Sequence, residues 1–280
     1  MHNPHSISVV IPTYNRAGDL VKAIQSTLAQ TYPVSEVLVC DDGSTDDSRE
    51  RVAAICDPKV KWLDCGRNGG PAIPRNRGVR ASTGNWIAFL DSDDSWQPEK
   101  LEKQMRAMEA LQLKASCTNA TRMRHGEPSG AYFSFQQPRL SLIDLFYQNS
   151  VICSSVLAEK DTLLKCSLFP EGREFTAIED YALWVRVATQ SDFAYLDECL
   201  VDYFDNAETS IRSEHQEDSW SAFAKVFGNF SEWKQARGVR LTGPQRQEFK
   251  RLLKRIKQKG IPTATEEFFR KLRDKLGINS

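Results

Sequence analysis

The chain has 280 residues, 40% of them hydrophobic and 26% charged, an ordinary globular composition with material for one large domain or two small ones. Lys and Arg number 37, as do Asp and Glu, so overall charge selects no partner and no nucleic-acid ligand is expected. No apolar run reaches the ~18 residues that span a bilayer, and Met1-His2-Asn3-Pro4-His5 lacks the basic-then-apolar order of a signal peptide.

In chain order, residues 7–11 predict a first strand stopped by Pro12, with a turn at Thr13-Tyr14-Asn15-Arg16. Leu20, Ala23, Ile24, Thr27 and Leu28 recur at helical spacing and predict a helix over 17–30. Residues 36–40 predict a second strand that ends in Asp41-Asp42. Gly43-Ser44 then turns the chain into a helix starting at Thr45 or Asp46. A third strand over 60–63, a loop at Asn68-Gly69-Gly70-Pro71 and a helix over 73–81 lead to Gly84 and a fourth strand from Trp86. The β-α-β-α-β-α-β order predicts right-handed crossovers and a mostly parallel sheet in a three-layer α/β/α sandwich.

The fourth strand, Trp86-Ile87-Ala88-Phe89-Leu90, runs straight into Asp91-Ser92-Asp93-Asp94. An apolar run of that length suits a strand covered on both faces, but unpaired charges are too costly to bury. The chain is therefore expected to emerge here at the carboxyl edge of the sheet, where open α/β sheets bind ligands. On an extended segment the side chains at i and i+2 point the same way. Asp91 and Asp93 can thus converge on one cation, and paired hard oxygens suit Mg2+ or Mn2+. The competing reading is that Asp94 or Ser95 caps a helix starting near Gln97-Pro98-Glu99. Neither the Gly-x-Gly-x-x-Gly dinucleotide fingerprint nor a Walker Gly-Lys-Ser/Thr is present.

Further along, 97–112 read as an amphipathic helix, 114–119 as a strand, 121–139 as a polar region with room for a hairpin, 140–146 as a helix and 151–157 as a strand. Leu183, Trp184, Val187 and Ala188 share one face of a helix whose first turn holds Glu179 and Asp180. Complementarity to the helix dipole would by itself account for those two acids. Residues 193–196 and 200–204 read as short strands. Residues 234–280 hold 14 Lys and Arg against four Asp and Glu, a net charge of about +10. Within 244–259, Phe249, Leu252, Leu253 and Ile256 form an apolar stripe with basic residues around it. Two readings stay open: peripheral, salt-reversible attachment to an anionic membrane, or packing on the rest of the protein. Cys40, Cys56, Cys65, Cys117, Cys153, Cys166 and Cys199 form no Cys-x-x-Cys pair, as expected of a reduced, cytoplasmic protein with buried thiols.

Five pieces coincide in order: residues 9–16 (Val-Val-Ile-Pro-Thr-Tyr-Asn-Arg), residues 39–46 (Val-Cys-Asp-Asp-Gly-Ser-Thr-Asp), Asn68-Gly69-Gly70 with Pro74-Arg75-Asn76-Arg77-Gly78, Phe89 to Asp94, and residues 178–184 (Ile-Glu-Asp-Tyr-Ala-Leu-Trp). Together they resemble the GT-A-fold glycosyltransferases of family 2, inverting enzymes that use nucleotide-diphospho-sugars. The resemblance covers about residues 6–210. It implies a catalytic domain over 1–225, with a nucleotide-sugar half (1–95) and an acceptor half (96–225), followed by a basic helical extension over 226–280.

The resemblance further implies that Pro12, Thr13 and Tyr14 lie beside the nucleobase, that Asp42 bonds the base or ribose, and that Arg75 lies near the nucleotide. Asp91, Ser92 and Asp93 match the Asp-x-Asp motif of ribose and metal, with Asp93 the more direct ligand of Mn2+ or Mg2+. Asp180 matches the catalytic base. The implied reaction is hexosyl or N-acetylhexosaminyl transfer from a donor, UDP-sugar foremost, to a glycan or lipid-linked glycan acceptor in polysaccharide, lipopolysaccharide or other glycoconjugate synthesis. A sugar-nucleotide nucleotidyltransferase is one rival, but Pro12-Thr13-Tyr14-Asn15-Arg16 is not its glycine-rich basic loop. A catalytically inactive nucleotide-sugar or glycan-binding module is the other, and the full set of acids argues against it.

Overall fold

Every residue of strand β1 (Ile7–Thr13) is buried, because β1 sits inside the sheet and both of its faces are covered. It pairs in parallel with β2 (Glu36–Asp41) on one side and β4 (Trp86–Phe89) on the other, and β3 (Val60–Asp64) continues the parallel ladder beyond β2. The crossovers are α1 (Ala17–Leu28), α2 (Ser48–Ala53) and α3 (Ala72–Ala81). Alternation along β1 separates two cores. Val9 and Ile11 pack with Leu20 and Ile24 of α1 and with Leu101 and Met108 of α4 (Lys100–Leu111). Val10 packs with Val79 of α3 and with the cluster around Trp184 of α7 (Glu179–Val187). The computed structural model describes residues 5–66, 69–204 and 219–259.

Beyond β4 the sheet becomes mixed. Strand β9 (Leu157–Glu159) is antiparallel to β4, and β6 (Ala115–Arg124) is antiparallel to β9, which turns β6 parallel to β4 again. Strand β10 (Phe193–Phe204) pairs in parallel with β6. The short β5 (Ser95–Trp96) and β8 (Arg139–Leu140) run antiparallel to β10, and β7 (Glu127–Ala131) forms a hairpin on β6. The order is β3-β2-β1-β4-β9-β6-β10-β5. All the long ladders are parallel, so the expected doubly covered α/β sheet is present, with a short antiparallel strand spliced into its middle.

Three local expectations are corrected. Pro12 does not end β1. Strand β4 pairs with β1 only as far as Val10, so the missing proline N–H leaves no ladder bond unmade on that side, while Thr13 O accepts from the Asp42 N–H at 2.9 Å. Residues 151–157 are not a strand throughout. A 3-10 turn at Cys153–Ser155 precedes β9, and the Ser155 hydroxyl bonds back to Ile152 O at 2.7 Å, the local competition by which serine disfavours extended backbone. The two short strands expected over 193–204 are one strand with register shifts between Leu196 and Asp202.

The C-terminal part is helical: α5 (Leu142–Leu145) supports α8 (Ser219–Ala236) and α9 (Gly243–Gln258). The expected division at residue 225 falls inside α8. Thr242 and Gln245 form a capping box at the start of α9, with Pro244 in its first turn. The apolar stripe of α9 faces inward. Phe249, Leu252 and Ile256 are buried, and the Phe249 ring lies 5.4 Å from Phe146 and 5.3 Å from Phe230. The stripe thus packs on the rest of the protein, the second of the two readings, and burial there removes its apolar area from water without a lipid. Among the described residues no helix is long and apolar enough to cross a membrane.

At the amino edge of the sheet, Glu36 joins three strands. Its carboxylate accepts from the Ser8 hydroxyl (2.7 Å), the Thr83 N–H (2.6 Å) and hydroxyl (2.7 Å), and the Lys61 ammonium (2.7 Å). The Ser8 hydroxyl in turn accepts from the Gly84 N–H at 2.9 Å. A Cβ at Gly84 would lie 2.8 Å from the Ser8 nitrogen, so only glycine lets the two segments approach this closely. Burial pushes the Glu36 carboxyl up, but Lys61, Thr83 and Ser8 together hold it at about 2 against an ordinary 4.5. A depressed carboxyl contributes stability above its unfolded pKa and loses it as pH falls through the folded one. Denaturant unfolding should therefore show the protein losing stability between pH 4.5 and about 2. Glu36→Gln should flatten that dependence while lowering stability at pH 7 by about 1–3 kcal/mol.

Candidate active site

The site is built where β1, β2 and β4 end. The loops after β1 and β2 are fastened to each other: the Asn15 N–H donates to Ser44 Oγ (2.9 Å), the Thr45 N–H donates to Asn15 Oδ1 (2.8 Å), and the Ala17 N–H donates to Asp46 Oδ2 (3.1 Å). Asn15 adopts φ 51°, a left-handed conformation that asparagine tolerates better than most residues. This fastening sets the end of β1. Pro12 and Thr13 are buried, Tyr14 is 40% exposed at the rim, and the Thr13 hydroxyl is buried with no partner.

Asp42 lies alongside. Its Oδ2 accepts from the Gly69 and Gly70 N–H groups at 2.8 and 3.0 Å, while its Oδ1 is buried and unbonded. Burial raises the Asp42 carboxyl above the ordinary range, and the two N–H groups offset part of that rise.

The Asp91-Ser92-Asp93-Asp94 segment is a turn rather than extended chain, closed by the Asp94 N–H to Asp91 O at 3.1 Å. The i, i+2 alternation expected for Asp91 and Asp93 is thus replaced by turn geometry, and the two charges still act on each other. The Asp93 carboxyl is raised by burial and then by Asp91, with Arg16 opposing. Arg16 Nη2 lies 3.6 Å from Asp93, whose side chain is 31% exposed. A raised, half-exposed carboxyl beside a second acid favours an added cation. Ser92 is buried in the turn.

Asp94 does not cap a helix, since α4 begins only at Lys100. It is 3% exposed and accepts from Ser154 Oγ (2.5 Å) and the Phe204 N–H (3.0 Å). Ser154 Oγ also accepts from the Asp91 N–H at 3.0 Å, and Ser154 O accepts from the Trp96 indole at 2.7 Å. Sequence reading passed over Ser154. Its only sequence signal is a polar pair inside an otherwise apolar stretch.

Arg75 is not a surface arginine. It is 4% exposed, and its guanidinium donates through Nη2 to Asp91 Oδ1 (2.6 Å) and through Nη1 to Glu179 Oε1 (2.7 Å), over the Phe169 ring. Burial alone would weaken its hold on the proton, but Asp91 and Glu179 more than offset that and fix it as a cation. The backbone of α3 is close to the sheet, since a Cβ on Gly78 would come within 2.7 Å of Cys40 Sγ. One buried guanidinium therefore ties the strand-end acids to the first turn of α7.

That turn is held in a constrained conformation. Ala177 has φ 69°, an uncommon backbone for a residue with a Cβ, and Glu179 and Asp180 follow it, 5% and 6% exposed. Asp180 Oδ1 accepts from the Tyr181 N–H at 2.6 Å. The other faces of α7 are core, with Leu183 and Trp184 at 0% exposure. Among the described residues no group of three or more His, Cys, Asp or Glu side chains is arranged to hold a metal. Asp91 and Asp93 would thus hold a divalent ion only together with oxygens from a ligand, the sparse protein coordination that Mg2+ commonly has beside phosphates.

Residues 8–156 match the sequence model of Glycosyl transferase family 2. An uncharacterized glycosyltransferase of Rickettsia conorii is 36% identical over 203 residues, 71% of this chain and 32% of the relative. This chain thus spans about a third of that protein's length. The Escherichia coli UDP-Glc:alpha-D-GlcNAc-diphosphoundecaprenol beta-1,3-glucosyltransferase WfgD is 31% identical over 67% of this chain and 72% of its own. The crystal structure of Staphylococcus aureus TarS 1-349 in complex with UDP-GlcNAc superposes with TM-score 0.71 at 21% identity, covering 89% of this chain and 71% of that one. The sheet order and this likeness define a GT-A glycosyltransferase fold. With the family match and the E. coli relative, the chain belongs to glycosyltransferase family 2.

Arg75→Met should leave the buried Glu179 and the half-buried Asp91 without their cation and destabilise by about 3–5 kcal/mol. Adding Glu179→Gln should recover part of that loss. A double-mutant cycle by denaturant unfolding should give a coupling above about 1 kcal/mol; strict additivity would show that the pair does not act as one unit.

Proposed function

We propose that this chain transfers a sugar from a nucleotide-diphospho-sugar, a UDP-sugar, to a hydroxyl of a glycan carried on a lipid diphosphate, with inversion at the anomeric carbon. One observation carries the reading. Of the seven buried side-chain atoms without a partner among the described residues, four, Thr13 Oγ1, Asp42 Oδ1, Arg75 Nε and Glu179 Oε2, belong to the group of residues gathered at this one edge. Folded proteins rarely leave buried polar atoms unpaired, so their concentration here marks where a polar ligand completes the structure. The names of the relatives support the choice of ligand: the E. coli enzyme takes UDP-Glc and a GlcNAc-diphosphoundecaprenol acceptor, and the TarS structure holds UDP-GlcNAc.

In this reading Thr13, Tyr14 and Asp42 receive the nucleoside, with Pro12 shaping the floor beneath it. Asp42 Oδ1 accepts from a base or ribose donor. Arg75 orients Asp91 and holds Glu179 at the start of α7. Asp91 and Asp93, with Ser92 between them, face the ribose and diphosphate. A bound Mn2+ or Mg2+ there would neutralise charge gathering on the departing diphosphate. Asp180 accepts the proton of the acceptor hydroxyl as its oxygen bonds to the anomeric carbon and the bond to the diphosphate oxygen breaks. Base and leaving group on opposite faces of the sugar give a single displacement. The acceptor lipid places the reaction at the cytoplasmic face of a membrane.

Asp180→Asn should lower kcat by roughly 10² or more while leaving donor affinity near wild type; a loss of affinity at unchanged kcat would reassign Asp180 to binding. Asp93→Asn, or EDTA, should abolish divalent-dependent turnover with the fold intact by circular dichroism, and full activity with EDTA would remove the metal role. A thermal-shift screen of UDP-, dTDP- and GDP-sugars with and without Mn2+ tests the donor itself. At a concentration about 100 times Kd, a true donor stabilises the protein by about 2.7 kcal/mol. Release of pyrophosphate instead of UDP would favour the nucleotidyltransferase.

A further inference from the structure

Helix α9 presents two unlike faces. Its inner face, Phe249, Leu252 and Ile256, is buried against Phe146, Phe227 and Phe230. Its outer face carries Arg246, Lys250, Arg251, Lys254, Arg255 and Lys257, all exposed. Five of these, with Lys259, fall into two rows at four-residue spacing, Arg246-Lys250-Lys254 and Arg251-Arg255-Lys259. Like charges at i and i+4 destabilise a helix, and a helix on an ordinary solvated surface alternates them with Glu. Here the single carboxylate of the helix, Glu248, is engaged by Arg251 Nη1 at 2.5 Å and by the Tyr147 hydroxyl at 2.7 Å. Around the outer face lie aromatic rings: Arg255 stands 6.0 Å from the Tyr147 centroid and 5.7 Å from Trp220, and the Lys259 ammonium stands 5.6 Å from Trp220. Tyr147 is 53% exposed.

We infer that this face docks on the surface of an anionic phospholipid bilayer by charge alone, without inserting a side-chain stripe. Two rows of cations with Glu248 the one carboxylate of the helix form a positive strip that a sheet of headgroup phosphates neutralises along its whole length. Tyr and Trp beside those cations suit the headgroup region, where one end of the ring is apolar and the other wet. The buried inner stripe separates this mode from the inserted amphipathic helix. The choice of lipid over another polyanion rests on the diphospho-lipid acceptor proposed above, since an enzyme held at the bilayer surface meets its acceptor in two dimensions.

The test uses the full chain and the variant K250E/K254E/K257E, whose three positions are exposed and lie outside the candidate active site. Both are sedimented with phosphatidylglycerol–phosphatidylcholine vesicles and with pure phosphatidylcholine vesicles, at low salt and at about 0.5 M salt. The parent should bind only the anionic vesicles and lose most of that binding at high salt, where the screening length falls below about 5 Å. The variant should partition about 100-fold less at low salt, with an unchanged circular dichroism spectrum and unchanged turnover of a soluble acceptor. Equal partitioning of the two proteins, no binding by either, salt-insensitive binding, or stronger retention on single-stranded nucleic acid than on vesicles at equal salt would each overturn the inference. Vesicle binding without any sugar transfer would leave docking standing and count against the proposed reaction alone.

Discussion

The structure depends on one buried cation. Arg75 stands between Asp91 and Glu179, at 2.6 and 2.7 Å, and through these two ion pairs α3 reaches both the end of β4 and the beginning of α7. A guanidinium suits this place because its fixed fork presents separate N–H groups to two carboxylates at once. An ammonium would offer a point charge and leave the angle between the two acids undefined. Two acids against one cation leave a residual negative charge in a half-closed space, and Asp93 adds to it. Arg75 and Arg16 offset part of that charge, and the remainder favours further positive charge.

The two ends of the parallel sheet use polar groups in opposite ways. At the amino edge Glu36 has Ser8, Thr83 and Lys61 as partners, and the Ser8 hydroxyl serves Gly84 as well. Such a saturated cluster locks strands together and has nothing left to offer a ligand. At the carboxyl edge, Thr13, Asp42, Arg75 and Glu179 each keep one buried atom unpaired. The contrast separates a structural carboxylate from those of the candidate site even though Glu36 and Asp42 lie on or beside the same strand and are both hidden from solvent. The Asp94–Ser154 contact anchors the acid-bearing turn to the 3-10 turn that precedes β9, and the Phe204 N–H ties Asp94 to the end of β10. That 3-10 turn thus has a positional role at this edge.

Much of this was legible in the chain. Alternating β and α periodicity, with strands short enough to be wholly apolar, demands a doubly covered parallel sheet. Acids placed directly after such strands must emerge at its carboxyl edge. Those two facts locate Asp42, Asp91 and Asp93 at that edge without coordinates, because a charge is costly to bury unless partners are supplied, as they are for Glu36. The apolar stripe and basic flanks of α9 were equally plain as a pattern.

What the pattern could not contain is which distant groups meet. Arg75 and Glu179 are 104 residues apart, and Asp94 and Phe204 are 110 apart; neither pairing follows from spacing, since nothing local distinguishes a buried arginine from a surface one. The same limit applies to α9. An amphipathic helix announces that it must bury one face, and only the neighbouring Phe146, Phe227 and Phe230 decide that the protein rather than a lipid covers it. Local periodicity and the desolvation of charge determined the sheet, its carboxyl edge and the acids on it. Tertiary packing decided their partners, because a buried polar group is satisfied by whatever the fold brings within 3 Å of it, however far away in the chain that partner lies.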